Sequence, residues 1–278
     1  MPAGECHIRF VQNYQQLLNA RFESYLVNQV YLTSVIATEV FVCLESCKKL
    51  IGSSLIWSYH EDMKTIITGT TQGLGLELAK LLADKEPIVI NRRPTGLNEE
   101  LIGDLSRKSD VEKLSQSLSE AIATQEEVTL VLNAALYGDD EAVSDVTAEA
   151  LGELMYVNVF SQLSLVEALI NKGIKVKLMA VSSQMGSISM APEPYHYAYS
   201  VSKAALNLSV RLMKTQYDDK LDYLLVDPGW MATQMGGDDA PDKPEVVAAN
   251  IIKAMADESN WNNSHGMLKV NTGDINTW

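Results

Sequence analysis

A chain of 278 residues with 46 % hydrophobic and 21 % charged residues has the make-up of a soluble globular protein, long enough for one α/β domain with a sizeable core plus an additional segment. Its net charge of -14, with no run of Lys and Arg longer than the pairs Lys48-Lys49 and Arg92-Arg93, argues against a nucleic acid or another polyanion as partner. The three cysteines, Cys6, Cys43 and Cys47, all precede Met63 and form no metal-ligand or disulfide pattern, so cytoplasm is the expected compartment.

Residues 1–62 read as a mostly helical extension, for example from Tyr14 to Val30, and carry no signal-peptide pattern. The most apolar part, Tyr31 to Tyr59, is interrupted by Glu39, Glu45, Lys48 and Lys49, so no uncharged run reaches the length of a membrane span. A membrane-surface or partner-binding helix stays open there. Met63 reads as the start of the functional domain, residues 63–278, because the first strand begins directly after it.

Strands and helices alternate from Met63 onward, which predicts an α/β fold: a doubly wound parallel sheet of Rossmann type with helices on both faces. A short apolar strand, Lys64 to Thr68, turns on Gly69, Gly73 and Gly75 into an amphipathic helix carrying Leu76, Leu78, Leu81 and Leu82. Such a turn offers an anion unpaired backbone N–H groups, the helix dipole and an approach free of Cβ atoms, so the expected guest is a dinucleotide. A second strand, Pro87 to Ile90, ends at Asn91-Arg92-Arg93, and a short third lies near Glu100 to Gly103. The ten or so residues between them are too few for a crossover helix, so this edge should be abbreviated. Asp104 and a helix from about Asp110 to Thr124 follow.

Val128 to Leu132 is the continuous apolar run of a central strand, ending at Asn133-Ala134-Ala135. The pattern then predicts a long helix from about Ala148 to Lys172 carrying Asn158, and a strand, Lys175 to Val181, running into Ser182-Ser183. A loop to about Tyr195 leads to a helix from about Tyr197 to Tyr217. A sixth strand, Leu221 to Val226, leads to Asp227-Pro228-Gly229-Trp230. The composition from Met235 to Lys243 suggests a mobile lid, Pro244 starts a helix to about Asp257, and His265 to Val270 reads as a last strand.

Tyr199 and Lys203 stand four apart on one helix, which places phenol and ammonium on one face a turn apart. A nearby cation favours the phenolate, so the pairing suits acid/base work. Ser183 ends a strand on the side where ligands gather in open α/β sheets, and Asn158 lies on the preceding helix. The hydroxyl could bond a substrate oxygen and the Asn could anchor a relay water.

Together these residues resemble the short-chain dehydrogenase/reductase family, from Met63 nearly to Trp278. The matching segments are TGTTQGLG at 68–75, Asp104, NAA at 133–135 where the family usually has N-A-G, Asn158, VSSQMGS at 181–187, YSVSK at 199–203 and DPGWMATQMGG at 227–237. The long Ser-to-Tyr loop and the last segment look like the sniffer/C-factor type of carbonyl reductase. The resemblance implies Tyr199 as general acid in reduction and base in oxidation, Lys203 on the nicotinamide ribose and lowering the phenol pKa, Ser183 polarising the substrate oxygen with Ser182 as the neighbouring alternative, and Asn158 supporting a relay water. It implies Gly69, Gly73, Leu74 and Gly75 around the pyrophosphate, Asp104 at the adenine, Asn133 and Ala134 along the adenosine, and Pro228, Gly229 and Thr233 flanking the nicotinamide. A homodimer or homotetramer through the helices at 148–172 and 197–217 is implied as well.

An acidic residue at the end of the second strand would select NAD. Asn91, Arg92 and Arg93 stand there instead and would meet a 2′-phosphate with cations, so NADP(H) is expected over NAD(H), although Gln72 occupies a turn position where NADP-preferring relatives often carry a basic residue. Trp230, Met231, Met185, Met190 and Tyr195 suggest an apolar pocket for a small carbonyl compound or alcohol. The competing readings are a nucleotide-binding signalling protein with little turnover and an extended epimerase, the latter disfavoured by the short region after Pro228.

Overall fold

Five residues, KTIIT, form β1 (Lys64–Thr68), and four of them are buried. Successive strand side chains point to opposite faces, so Ile66 enters one core and Ile67 the other. The computed structural model describes residues 63–278 apart from Asn98 and residues 123–124, 139–142 and 191–195. The expectations for residues 1–62 and for Tyr195 lie outside the described residues.

Seven further strands complete one sheet: β2 (Ile88–Asn91), β3 (Glu99–Ile102), β4 (Glu127–Leu132), β5 (Lys175–Val181), β6 (Leu221–Asp227), β7 (Gly266–Lys269) and β8 (Ile275–Thr277). Their order is β3-β2-β1-β4-β5-β6-β7-β8. Every neighbouring pair is parallel except β7 with β8. The order reverses between β1 and β4, and a crevice opens beyond their carboxyl ends, the place where doubly wound sheets bind ligands.

Helices cover both faces, as an all-parallel centre requires. On one side α1 (Gly73–Leu81) and α6 (Pro244–Ala256) bury Leu78, Val247 and Ile251 against Ile67, Val131 and Leu224. On the other, α2 (Lys108–Ala121), α4 (Ser161–Asn171) and α5 (Tyr197–Gln216) pack Leu118, Leu165 and Leu206 on Ile66, Leu130 and Leu225.

Four features depart from the sequence reading or sharpen it. The long helix expected from Ala148 to Lys172 is α3 (Ala148–Met155), a π-helical turn Tyr156–Phe160, and α4; the π turn carries Asn158. This stretch, Ala148–Asn171, is the one described helix long and apolar enough to cross a membrane, and more than half of its most apolar part is buried within the domain, as a core helix requires. The abbreviated edge is present: β3 runs parallel to β2, and the described residues between them, 92–97, hold no helix. The segment expected as a lid is fastened at its base: Met231 bridges Asp242, the Ala232 N–H donates to Asp242 O at 2.8 Å and Trp230 Nε1 donates to Gly236 O at 2.7 Å.

The fourth feature is β8, which sequence reasoning missed. Gly273, with φ +80°, turns the chain after β7 and sends it back antiparallel. The signal was the N-T-G-D turn, but a three-residue strand has too few positions to show alternation.

Candidate active site

The glycine turn is built by close approach. A Cβ at Gly75 would collide with Gly69 O and Asn133 Nδ2, and one at Gly73 would come within 3.3 Å of Thr233 Cγ2. Asn133 makes the first contact productive, donating through Nδ2 to Thr68 O at 3.0 Å and Gly69 O at 2.8 Å. Thr68 Oγ1 accepts from the Asn133 and Ala134 N–H groups and donates to Gln162 Oε1, while Gln162 Nε2 donates to Ala134 O. Asn91, at the end of β2, accepts from Thr70 N at 2.7 Å and donates to Thr70 Oγ1 at 2.8 Å. Its side chain shapes the turn, and Asn91 also lines the cleft where the cofactor contact is expected.

These contacts leave the N-terminus of α1 facing the cleft. Gln72, its N-cap, makes no capping bond and the first turn holds no acidic residue. Uncapped N–H groups beside bare glycines suit a pyrophosphate, so the residues present fit a dinucleotide. The cleft, about 980 Å³, runs from Arg92 and Asp104 past Gly73 and Thr233 to Ser183 and Tyr199. Pro228 and Gly229 line it too, and so do Gly69, Leu74, Asn133 and Ala134. Arg92 is exposed at its rim, whereas Arg93 does not line it. Asp104 accepts from Ser106 N at 2.9 Å and Ser106 Oγ at 2.8 Å, and these bonds, Ser106 N–H foremost, hold its carboxyl below the usual range, with Arg92 and Arg107 adding to the effect.

At the other end α5 presents Tyr199 and Lys203 on one buried face. The adjacent serines divide their work. Ser182 Oγ donates to Asn207 Oδ1 at 2.6 Å, inside the domain, while Ser183 faces the cleft beside Tyr199 and its hydroxyl accepts from Met185 N at 3.2 Å. Gly186 lets this loop lie against α5, since a Cβ there would come within 2.8 Å of the Lys203 carbonyl carbon.

One expectation is corrected here. The phenol was expected to be held down by the lysine. Instead burial, then the charges of Tyr137 and Asp227, push its pKa well up, against the Ser183 hydroxyl, which pulls it down. The ammonium lies 5.5 Å from the ring centroid and donates to Val181 O at 2.7 Å; burial lowers its pKa to about 8. Asn158, expected to support a relay water, has its side chain bonded within the domain. That side chain accepts from Leu136 N at 2.7 Å and donates to Leu136 O at 2.8 Å and to Ser202 Oγ at 2.9 Å, and Ser202 donates to Tyr199 O. Asn158 thus fastens the segment after β4 to the helix of Tyr199.

The structure adds residues the sequence did not single out. Tyr137 stands edge-on to Tyr199, ring centroids 4.7 Å apart, and stacks on His196 at 4.3 Å. His196 caps α5 in a left-handed conformation, φ 55°, and its Nδ1 is buried without a hydrogen bond. Gln162 and Thr70 were unmarked because a buried polar side chain has no sequence pattern of its own. Met185, Met231 and Trp230 line the cleft, while exposed Met190 lies outside its lining.

Sheet order, crevice and glycine turn define a dinucleotide-binding α/β protein with a Tyr-Lys-Ser cluster at the strand ends. The profile of the short chain dehydrogenase family matches residues 64–244, and the chain belongs to that family of oxidoreductases. Within it the chain resembles the sniffer/C-factor type. It is 34 % identical to C-signal of Myxococcus xanthus over 115 residues, 40 % of this chain and 69 % of that protein. The carbonyl reductase Sniffer of D. melanogaster superposes with a TM-score of 0.67 at 23 % identity, covering 78 % of this chain and 100 % of that one. The NADPH-bound carbonyl reductase from chicken fatty liver gives 0.67 at 19 % identity, covering 77 % and 98 %.

Proposed function

We propose that this protein is an NADP(H)-dependent reductase of small hydrophobic carbonyl compounds, working between carbonyl and alcohol with Tyr199 as proton donor. The observation that carries the reading is the buried Tyr199 phenol, which lines with Ser183 and Lys203 the inner end of a cleft whose other end is the glycine turn. The Ser183 hydroxyl is placed to donate to a carbonyl oxygen, and Tyr199 to give that oxygen its proton. When bound, the nicotinamide supplies the hydride.

Burial keeps the Tyr199 phenol protonated in the free protein, the form that can give a proton to a carbonyl oxygen. Lys203, with its pKa near 8, carries its charge at neutral pH and is the group beside the phenol that a nicotinamide ribose would meet. Arg92 on the rim is the cation for a 2′-phosphate, with Asp104 held ionised beside the adenine end. The similarity to an NADPH-bound reductase points the same way. Trp230, 55 % exposed, and Met235, 44 % exposed, line the cleft mouth, with Met190 and Ile188 on the neighbouring loop, and suit an apolar substrate. Exposed Phe160, Leu208 and Leu212 on the faces of the π turn and α5 support a homo-oligomer through those helices.

The test is consumption of NADPH and NADH against a panel of aldehydes, ketones and quinones. Turnover with NADPH preferred, and its loss in Tyr199→Phe with NADPH binding retained, is expected. Tight NADPH binding with no turnover on any class would favour the signalling alternative instead.

A further inference from the structure

Asp227 closes β6 at the floor of the cleft, is 2 % exposed, and enters the chemistry above only through the effect of its charge on Tyr199. Its carboxylate accepts from Gly229 N at 3.2 Å and Asn276 Nδ2 at 2.6 Å, and the N–H of Gln184, turned toward it, helps to lower its pKa. Gln184 directly follows Ser183, Gly229 lies in the turn that flanks the nicotinamide end, and Asn276 is in β8. All three partners are donors, the set an ionised carboxylate satisfies and an amide cannot.

β8 reaches the same loop a second time from outside. Ser187 Oγ donates to Thr277 O at 2.5 Å and Ser189 N to Trp278 O at 2.8 Å. The loop carrying Ser183 is therefore held from beneath by Asp227 and from the side by the last strand.

We propose that Asp227 is a positioning residue, with Asn276 as its buttress, that joins the ends of β5 and β6 to the C-terminal strand and so sets Ser183 and the Pro228–Gly229 turn at their working separation. Its catalytic consequence rests on the reductase reading; its structural one does not. The titratable groups around it are Lys269 on β7, Tyr199 on α5 and, across the Gly229 turn, Asp242. Burial raises the Asp227 pKa, while the Gly229 and Gln184 N–H groups, Asn276 and Lys269 pull it back. The ionised carboxylate in turn disfavours the Tyr199 phenolate.

Hydrogen exchange and kinetics on the full chain test this with Asp227→Asn, which keeps the volume and removes the charge. Exchange should quicken in the peptides around Gln184 and Gly229 and not in the sheet, and kcat for carbonyl reduction should fall by at least about ten-fold with a smaller change in KM. The Tyr199-dependent limb of the pH profile should move to lower pH, which a merely supportive residue would not cause. Asn276→Ala should repeat the local exchange change at smaller amplitude, and it decides the matter if Asp227→Asn quickens exchange everywhere. Unchanged exchange at both peptides, or a lost Tm with kcat and pH profile intact, would overturn the proposal. Wild-type protein without turnover would sink the reductase reading alone, since exchange still decides the role of Asp227.

Discussion

On the glycine-turn side of the cleft Thr68, Thr70, Asn91 and Gln162 are buried and bonded to one another or to backbone, whereas on the other side Trp230 and Met235 stand open to solvent at the mouth, with Ile188 and Met190 exposed on the loop beside it. Each bond in the first set contributes only about 1 kcal/mol net, but deleting one partner strands a buried donor or acceptor at a cost of about 1–3 kcal/mol. That half is consequently rigid and intolerant of change. The open half loses little on substitution, since exposed side chains away from special features shift stability by about 0.5 kcal/mol or less. A shared cofactor and a variable substrate make opposite demands on one cleft, and the two constructions answer them separately.

Substitutions can break this contrast. The largest effect is expected at the junction of the halves: Tyr199→Phe should lower turnover by about a thousand-fold while leaving NADPH binding and thermal unfolding close to wild type. Next, Asn91→Ala strands Thr70 N, and equilibrium urea unfolding should show a loss of about 2–3 kcal/mol, with NADPH and NADH binding weakened alike.

Lys203 gives a pH test of comparable size. Its pKa falls from 10.5 to about 8 in the fold, so the unfolded chain binds the proton more tightly and stability should rise with pH from about 8 toward 10.5, by up to about 3 kcal/mol. The Tyr199 phenol, shifted upward, opposes this only above about 10. Urea melts across that window should show the rise in wild type and a flatter line in Lys203→Met. A smaller effect is due at the rim: Arg92→Asp should weaken NADPH by about ten-fold and leave NADH nearly unchanged in calorimetric titration, and equal losses for both would remove Arg92 from cofactor selection. Smallest, Trp230→Ala should raise KM for bulky apolar carbonyls a few-fold with no change in Tm.

The alternation of strands and helices was legible because each central strand is a continuous apolar run, and β5 falls where the sequence placed it, Lys175–Val181. The cluster of Tyr199, Lys203 and Ser183 was legible from helix spacing and strand ends. What stayed hidden was the direction in which polar groups spend their bonds. Nothing in the spacing shows that the Lys203 ammonium turns to Val181 O, that Asn158 is consumed by Leu136 and Ser202, or that Asn91 serves Thr70. Those outcomes depend on partners brought close only by folding, as with Asp227 and Asn276, 49 positions apart in sequence.

The most direct test of the central claim follows the hydride itself. With NADPH carrying deuterium at both C4 positions and a ketone turned over by the wild-type protein, mass spectrometry of the product should find one deuterium on the carbinol carbon, and Tyr199→Phe should give no product above background. An alcohol without deuterium, or undiminished product from Tyr199→Phe, would contradict the account.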